Sequence, residues 1–325
     1  MTIAPCVFYQ KQIIRGKDQF YALLSSSWQN MELINTTTLS NTSSVDLDHC
    51  DLRCRRILIA LYSVVLLGGT AGTVMMSRMM FKRKSQSMIA TIIVNIIVLH
   101  SILLVTLPFR LSYYVSVVWK FGSFTCRVVS SIIYGHMYFT FVFYVVIVIL
   151  RLLIYFKKLQ MQRLQRYHAV VLSITVWMVG SLIFLPVFFL KYGIDPSHSE
   201  QHRCFEFYKD LNCRELIIIN YSIIVFMMTI VVVLFLIKMA VIFQLAKTHW
   251  PDTWAHQEYR AQIKSLFFLL VIVVCFIPHH VFRIHFIQNF SEIEDSQLVL
   301  YNEICIALTT VCCLDMLCFI RGVIH

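Results

Sequence analysis

Charge is what this sequence has least of. Only 14% of its 325 residues are Asp, Glu, Lys or Arg, against 58% apolar, a ratio outside the range of ordinary soluble domains. Glycine (9) and proline (6) are also sparse, so there is no glycine-rich phosphate loop and few breaks interrupt the apolar runs. No C-x-x-C pair offers a metal site of the usual spacing, and the eleven cysteines are too scattered for a disulfide scaffold. Several fall within apolar runs, where a buried structural thiol is the ordinary reading. No apolar core of signal-peptide length follows the first positive charges. A soluble enzyme has little to stand on here, and neither a catalytic residue nor a cofactor is expected.

What the chain does have is long apolar runs. Seven are long enough, at about 20 residues each, to cross a bilayer as helices: residues 57–77, 88–109, 126–150, 169–190, 216–242, 265–287 and 301–320. The predicted fold class is therefore an all-α membrane protein, a seven-transmembrane helical bundle with its termini on opposite sides. Arg78, Lys82, Arg83, Lys84, Lys157, Lys158, Arg163, Arg166, Lys247, Arg260 and Lys264 gather in one set of connections, which the positive-inside rule places in the cytoplasm. Arg53, Arg55 and Arg56 run against that count. The amino terminus is expected to be extracellular and the chain to lie in the plasma membrane. The net charge of +11 is then mostly a topology signal that favours anionic membrane lipids as partners, and no nucleic acid is expected.

Residues 1–56 read as a mostly disordered extracellular segment, 57–321 as the bundle, and 322–325 as a vestigial cytoplasmic terminus. Asn35, Asn41 and Asn289 head N-x-S/T triplets, so they are candidate glycosylation sites. Gly68, Gly69 and Gly72 are spaced for close helix packing. Cys126 precedes Arg151 by a helical length of about 37 Å, at 1.5 Å per residue, so the two sit at opposite rims of the third span. An extracellular Cys126 needs a partner, with Cys204 the first candidate and Cys213 the rival.

The stretch C-F-I-P-H-H-V-F-R, Cys275 to Arg283, organises the sixth span. Pro278 removes a backbone donor and should kink the helix rather than end it. Beyond it come His279, His280, Arg283 and His285, ionisable groups at a depth where they mark a functional site. In span two, His100 reads first as a hydrogen-bonded core histidine.

W-K-F-G before Cys126, Arg151, Trp177, Cys204, C-F-x-P at Cys275 to Pro278 and C-L-D at Cys313 to Asp315 together resemble the rhodopsin-like (class A) G-protein-coupled receptors. L-P-F in span two, H-x-x-R at His280 to Arg283 and Asp315 resemble the nucleotide- and lipid-receptor branch. The resemblance implies a Cys126–Cys204 disulfide, a G-protein-coupling role for Arg151, a toggle at Phe276 with Pro278 as pivot, and Asp315 and Phe319 as the first and last residues of an altered N/D-P-x-x-Y motif. It also implies heterotrimeric G proteins and an unidentified extracellular ligand as partners. The departures are equally specific. His100 stands where the family usually has its sodium-binding aspartate, Leu150 and Leu152 flank Arg151 where an acid and a tyrosine are usual, and Met316 replaces the motif proline. Arg151 without its neighbouring acid should be less restrained, with Glu258 at the right depth to act instead.

For the ligand, Arg110, Tyr113, Met137, His279, His280 and Arg283 are the candidate lining. Guanidinium forks suit a carboxylate or phosphate, so an anionic lipid or a nucleotide is expected, unless the arginines snorkel or pair with Glu206, Asp210 or Glu303. The alternative reading is a receptor-shaped membrane partner protein, or a constitutively active receptor with no ligand of its own.

Overall fold

The structure is a computed structural model that describes residues 40–83, 88–157, 166–191, 204–205, 214–289 and 296–318. It is an all-α bundle, and each of the seven apolar runs falls on a helical span. Span one is the helix Ser40–Arg83, span two Met88–Ser116, span three Gly122–Lys157, span four Arg166–Lys191 and span five Arg214–Thr248. Span six consists of two helices, Gln257–Cys275 and Ile277–Asn289. Span seven is the helix Ser296–Thr310 followed by a 3-10 turn, Val311–Leu314, which helix resumes after. Six of these are long and apolar enough to cross a membrane, and the shorter apolar stretch Tyr167–Leu182 marks the fourth span.

The first helix begins at Ser40, upstream of the boundary expected at residue 57. Residues 40–56 are therefore helical, which corrects the part of the disordered-head expectation that covers them. Asn35 and Phe319 lie outside the described residues, as does the side chain of Asn41.

Span six is interrupted where the kink is expected. The Phe276 backbone (φ −103°, ψ −36°) separates its two helices, yet hydrogen bonds cross the joint: the Phe276 amide donates to Ile272 at 2.9 Å and the His280 amide to Phe276 at 3.1 Å. Pro278 has no amide to give the Val274 carbonyl four residues earlier, which is why the break falls here. Span two carries Pro108 inside one continuous helix, and span four carries Pro186.

Two apolar clusters fill the interior. One gathers Tyr62, Leu103, Leu107, Tyr114, Trp119 and Phe205 near the Cys126–Cys204 disulfide, at the end that the loop charges lead one to expect as the outer one. The other runs along span three through Phe143, Tyr144 and Val148 to Leu269, Ile272 and Phe276 of span six. Span one reaches spans two and seven through its glycines. A Cβ on Gly69 would lie 3.0 Å from Leu104 Cδ2 and 3.3 Å from Cys313 Cβ, and one on Gly72 would lie 3.2 Å from Met316 Cβ. Close packing of this kind is what small residues permit in a bilayer, where lipid is as apolar as leucine.

Gly69→Val should overpack this three-span contact at a cost of about 1–3 kcal/mol, read as a lower Tm of the detergent-purified chain. Gly122→Val offers the comparison for space, since nothing lies within 4 Å of a Cβ there, although its φ of +77° adds backbone strain. A Gly69→Val chain with unchanged Tm would contradict the packing.

Candidate functional site

Three polar assemblies interrupt the apolar interior, one at each depth of the bundle. At the centre, span seven tightens into the 3-10 turn just before Asp315. A mid-helix turn of this kind changes the register in which side chains face inward. It brings Cys312, Cys313 and Asp315 into the interior, all buried. Asp315 Oδ2 accepts a 2.5 Å hydrogen bond from the Tyr144 hydroxyl of span three, and Asp315 Oδ1 lies 3.3 Å from His100 Nε2 of span two. The other nitrogen of His100, Nδ1, lies 2.9 Å from Nε2 of His136 in span three. Cys313 Sγ is 3.7 Å from that same His136 nitrogen.

His100 is thus a hydrogen-bonded core histidine, as its sequence context predicts. The family's sodium site does not fit these residues. A hard cation seeks oxygen ligands, and the carboxylate is already shared between a phenol and an imidazole.

At the outer end, Arg110 is completely enclosed. Its Nη1 donates to Tyr62 Oη and to Glu303 Oε2, both at 3.2 Å, and Tyr114 donates to the same carboxylate oxygen at 2.9 Å. Its guanidinium carbon stands 4.1 Å from the centre of the Phe205 ring, a cation–π contact. Phe205 is fixed by the disulfide of its neighbour Cys204 with Cys126 and adopts a φ of +73°, a backbone state that aromatic residues avoid. Tyr113 packs edge-on against it at 5.2 Å. Of the alternatives open for Cys126, Cys204 is the partner.

Arg283 is also buried. Its Nη1 donates to Asn302 Oδ1 at 3.5 Å and its guanidinium lies 5.4 Å from the Phe286 ring. Glu303 lies within electrostatic range of Arg283 as well. Among the described residues Glu303 is ion-paired with Arg110, and Arg283 forms no ion pair. His279 and His280 are buried on the same half of span six, and His279 Nδ1, His280 Nε2 and Arg110 Nε find no hydrogen-bond partner among the described residues. Met137 is placed differently: it packs in the span-three cluster with Phe276, below these polar groups. Asn289 ends span six, its amide nitrogen 2.8 Å from His285 Nδ1 and donating to the His285 carbonyl at 2.9 Å. Glu206, Asp210 and Cys213 lie outside the described residues.

The inner end holds a contact that the sequence reading missed. Lys238 of span five is fully buried, and its ammonium donates to Gln262 Oε1 of span six. Gln262 Nε2 in turn donates to the Arg151 carbonyl of span three at 3.3 Å. One amide side chain thus ties three helices together beside Arg151. Glu258 is within electrostatic range of Arg151, but among the described residues the two form no ion pair. A lysine in the middle of an apolar run was the available signal, and Gln262 lies one helical turn after Glu258.

A further link joins spans two and four. Asn95 Nδ2 donates to Ser173 Oγ at 2.9 Å, and Trp177 Nε1 donates to Asn95 Oδ1 at 3.0 Å.

Comparison with known proteins places these features in a family. Residues 71–315 match the family model described as 7 transmembrane receptor (rhodopsin family). The chain is 37% identical over 279 residues to "Probable G-protein coupled receptor 141" of Homo sapiens, covering 85% of this chain and 91% of that protein. It is 25% identical over 237 residues to "2-oxoglutarate receptor 1" of Rattus norvegicus, covering 71% of this chain and 69% of the relative. It is 24% identical over 296 residues to "Cysteinyl leukotriene receptor 1" of Cavia porcellus, covering 88% and 86%.

Gln262→Leu should strand the buried Lys238 ammonium without its acceptor, at a cost of about 3 kcal/mol, and so lower the Tm. Adding Lys238→Met should recover most of that loss. If the double variant is no more stable than Gln262→Leu alone, the two side chains are not coupled.

Proposed function

The chain belongs to the rhodopsin family of seven-transmembrane receptors, and we propose that it is a plasma-membrane receptor that passes the binding of an anionic extracellular ligand to heterotrimeric G proteins. The amino terminus lies outside the cell in this reading. One observation carries the ligand class: Arg110 and Arg283 are both buried, and among the described residues Glu303 pairs with Arg110 while Arg283 forms no ion pair. A buried positive charge in excess of its counter-charge is costly, and an incoming carboxylate or phosphate would offset it with charge-assisted hydrogen bonds. Tyr113, His279 and His280 line the same end, and the unpartnered nitrogens of the two histidines and of Arg110 supply further hydrogen-bonding capacity. Relatives named for 2-oxoglutarate, a dicarboxylate, and for cysteinyl leukotrienes, acidic lipids, support the anionic class for this chain.

The route from ligand to G protein runs through span six. Arg283, His279 and His280 ride on its outer helix, beyond the Phe276–Pro278 joint. Gln262 rides on its inner helix, holding Lys238 and the Arg151 carbonyl. A ligand that draws the outer helix towards Arg110 favours the bundle state in which the inner helix swings away and Gln262 lets go. Arg151 then becomes available to the G protein. The ligand shifts this equilibrium only by the difference in its affinity for the two states.

Two measurements check this reading. Carboxylates, acidic lipids and nucleotides, with 2-oxoglutarate among them, would be applied to cells expressing the chain, each beside its neutral ester or amide. An active anion should lose potency about 10- to 100-fold in Arg283→Ala, the loss of one charge-assisted contact. Equal potency in that variant, or equal activity of the neutral analogue, would exclude Arg283 as an anion anchor.

Basal second-messenger output at matched surface expression tests the coupling itself. It should fall to background in Arg151→Ala and rise in Gln262→Ala. Output unmoved by both would favour a membrane partner protein over a coupling receptor.

A further inference from the structure

The central cluster has a composition that hydrogen bonding alone does not account for. His100, His136, Cys312 and Cys313 each offer one ligand atom, with all four atoms within 4.8 Å of one another and every residue buried. They come from three spans, two, three and seven. We propose that this cluster binds one zinc ion through His100 Nδ1, His136 Nε2 and the two cysteine Sγ atoms.

The distances are near those of a filled site. Tetrahedral zinc, with bonds of about 2.0 Å to nitrogen and about 2.3 Å to sulfur, separates two nitrogens by about 3.3 Å and a nitrogen from a sulfur by about 3.5 Å. The two imidazole nitrogens stand 2.9 Å apart, and His136 Nε2 stands 3.7 Å from Cys313 Sγ. These two separations are within about half an ångström of the filled-site values, and the four atoms, spread over up to 4.8 Å, would draw together to seat the metal. A two-nitrogen, two-sulfur donor set selects zinc over hard cations.

The surroundings point the same way. A histidine that ligates through one ring nitrogen generally donates the other to a carboxylate, which fixes its tautomer and orientation. His100 does this: Nδ1 faces the cluster while Nε2 faces Asp315 Oδ1 at 3.3 Å, and Asp315 is itself steadied by Tyr144. Without metal, a neutral His100 that donates from Nε2 to Asp315 leaves Nδ1 an acceptor. His136 must then donate from Nε2, and its Nδ1 becomes a bare acceptor with no partner among the described residues. With metal, both facing nitrogens give their lone pairs to the ion and His136 carries its proton on Nδ1. That Nδ1 is without a partner among the described residues in either state, so the orienting contact comes from His100 alone.

Charge also balances. One Zn²⁺ enters as two thiol protons leave, so the buried cluster keeps its net charge and no redox partner is needed.

The experiment uses the full chain without a polyhistidine tag, expressed in zinc-replete medium, purified in detergent and desalted. Metal content by mass spectrometry should give one zinc per chain. Zinc-edge X-ray absorption should show mixed sulfur and nitrogen coordination. The chain grown in zinc-depleted medium should have a lower Tm. The double variant Cys312→Ser with Cys313→Ser should lose the zinc, while Cys318→Ser, an exposed cysteine outside the cluster, should keep it. The absorption spectrum of the unmutated chain decides the matter even if the double variant fails to fold. No zinc in the unmutated chain, coordination by oxygen and nitrogen alone, or zinc retained by a folded double variant would each overturn the assignment. None of these readouts depends on ligand or G protein.

Discussion

The surrounding lipid offers no partner to a polar group inside this bundle, so a buried charge is held where the protein itself supplies one. Asp315 meets that constraint as a carboxylate buried in the interior. It is held only because span two brings His100 and span three brings Tyr144 to its two oxygens. That requirement fixes how the three spans are rotated about their axes, a degree of freedom that apolar contacts leave loose. The 3-10 turn at Val311–Leu314 follows from it, since the tightened register is what turns Cys312, Cys313 and Asp315 inward together.

The two ends answer the same constraint differently. At the outer end a guanidinium, a carboxylate and two phenols bond to each other around Arg110, leaving its Nε without a partner among the described residues, under the disulfide-held ring of Phe205. Arg283 is left with an amide oxygen, within electrostatic range of Glu303. At the inner end a single glutamine amide bridges a lysine and a backbone carbonyl. Among the described residues the outer end therefore has more buried cationic than anionic groups, and the inner end has contacts few enough to be broken together. A receptor needs that asymmetry.

The spans, the kink and the disulfide were legible in the sequence because each rests on a local rule. Twenty apolar residues make a span, a proline removes a donor, and an extracellular cysteine wants a partner. The resemblance to class A receptors located Arg151, Phe276 and Asp315 for the same reason, through short motifs at fixed spacing. The polar assemblies were not legible in this way. His136 meets His100 across 36 positions, Tyr144 meets Asp315 across 171, and Arg110 meets Glu303 across 193. No local pattern records those meetings, which depend on how each helix is rotated. Glu303 appeared in the sequence only as one of several possible partners for the arginines, and Gln262 carried no charge to draw attention. The helical start at Ser40 was missed because residues 40–56 lack an apolar period, although they continue directly into span one.

Span six runs between the two ends, and in the proposed signalling its joint offers a connection that needs no continuous polar chain. Hydrogen bonds across Phe276 keep the two helices mechanically connected, while the missing amide of Pro278 leaves one carbonyl unbonded and the bend inexpensive to change. Phe276 itself is buried in the cluster that includes Met137, Tyr144 and Ile272, so a change in bend has to repack that cluster. Close-packed interiors do not deform smoothly but switch between discrete arrangements. A small displacement of the outer helix is then either absorbed or converted into a full change at Gln262. Central contacts between spans two, three and seven raise the threshold for that change by stabilising the arrangement in which the inner contacts are made.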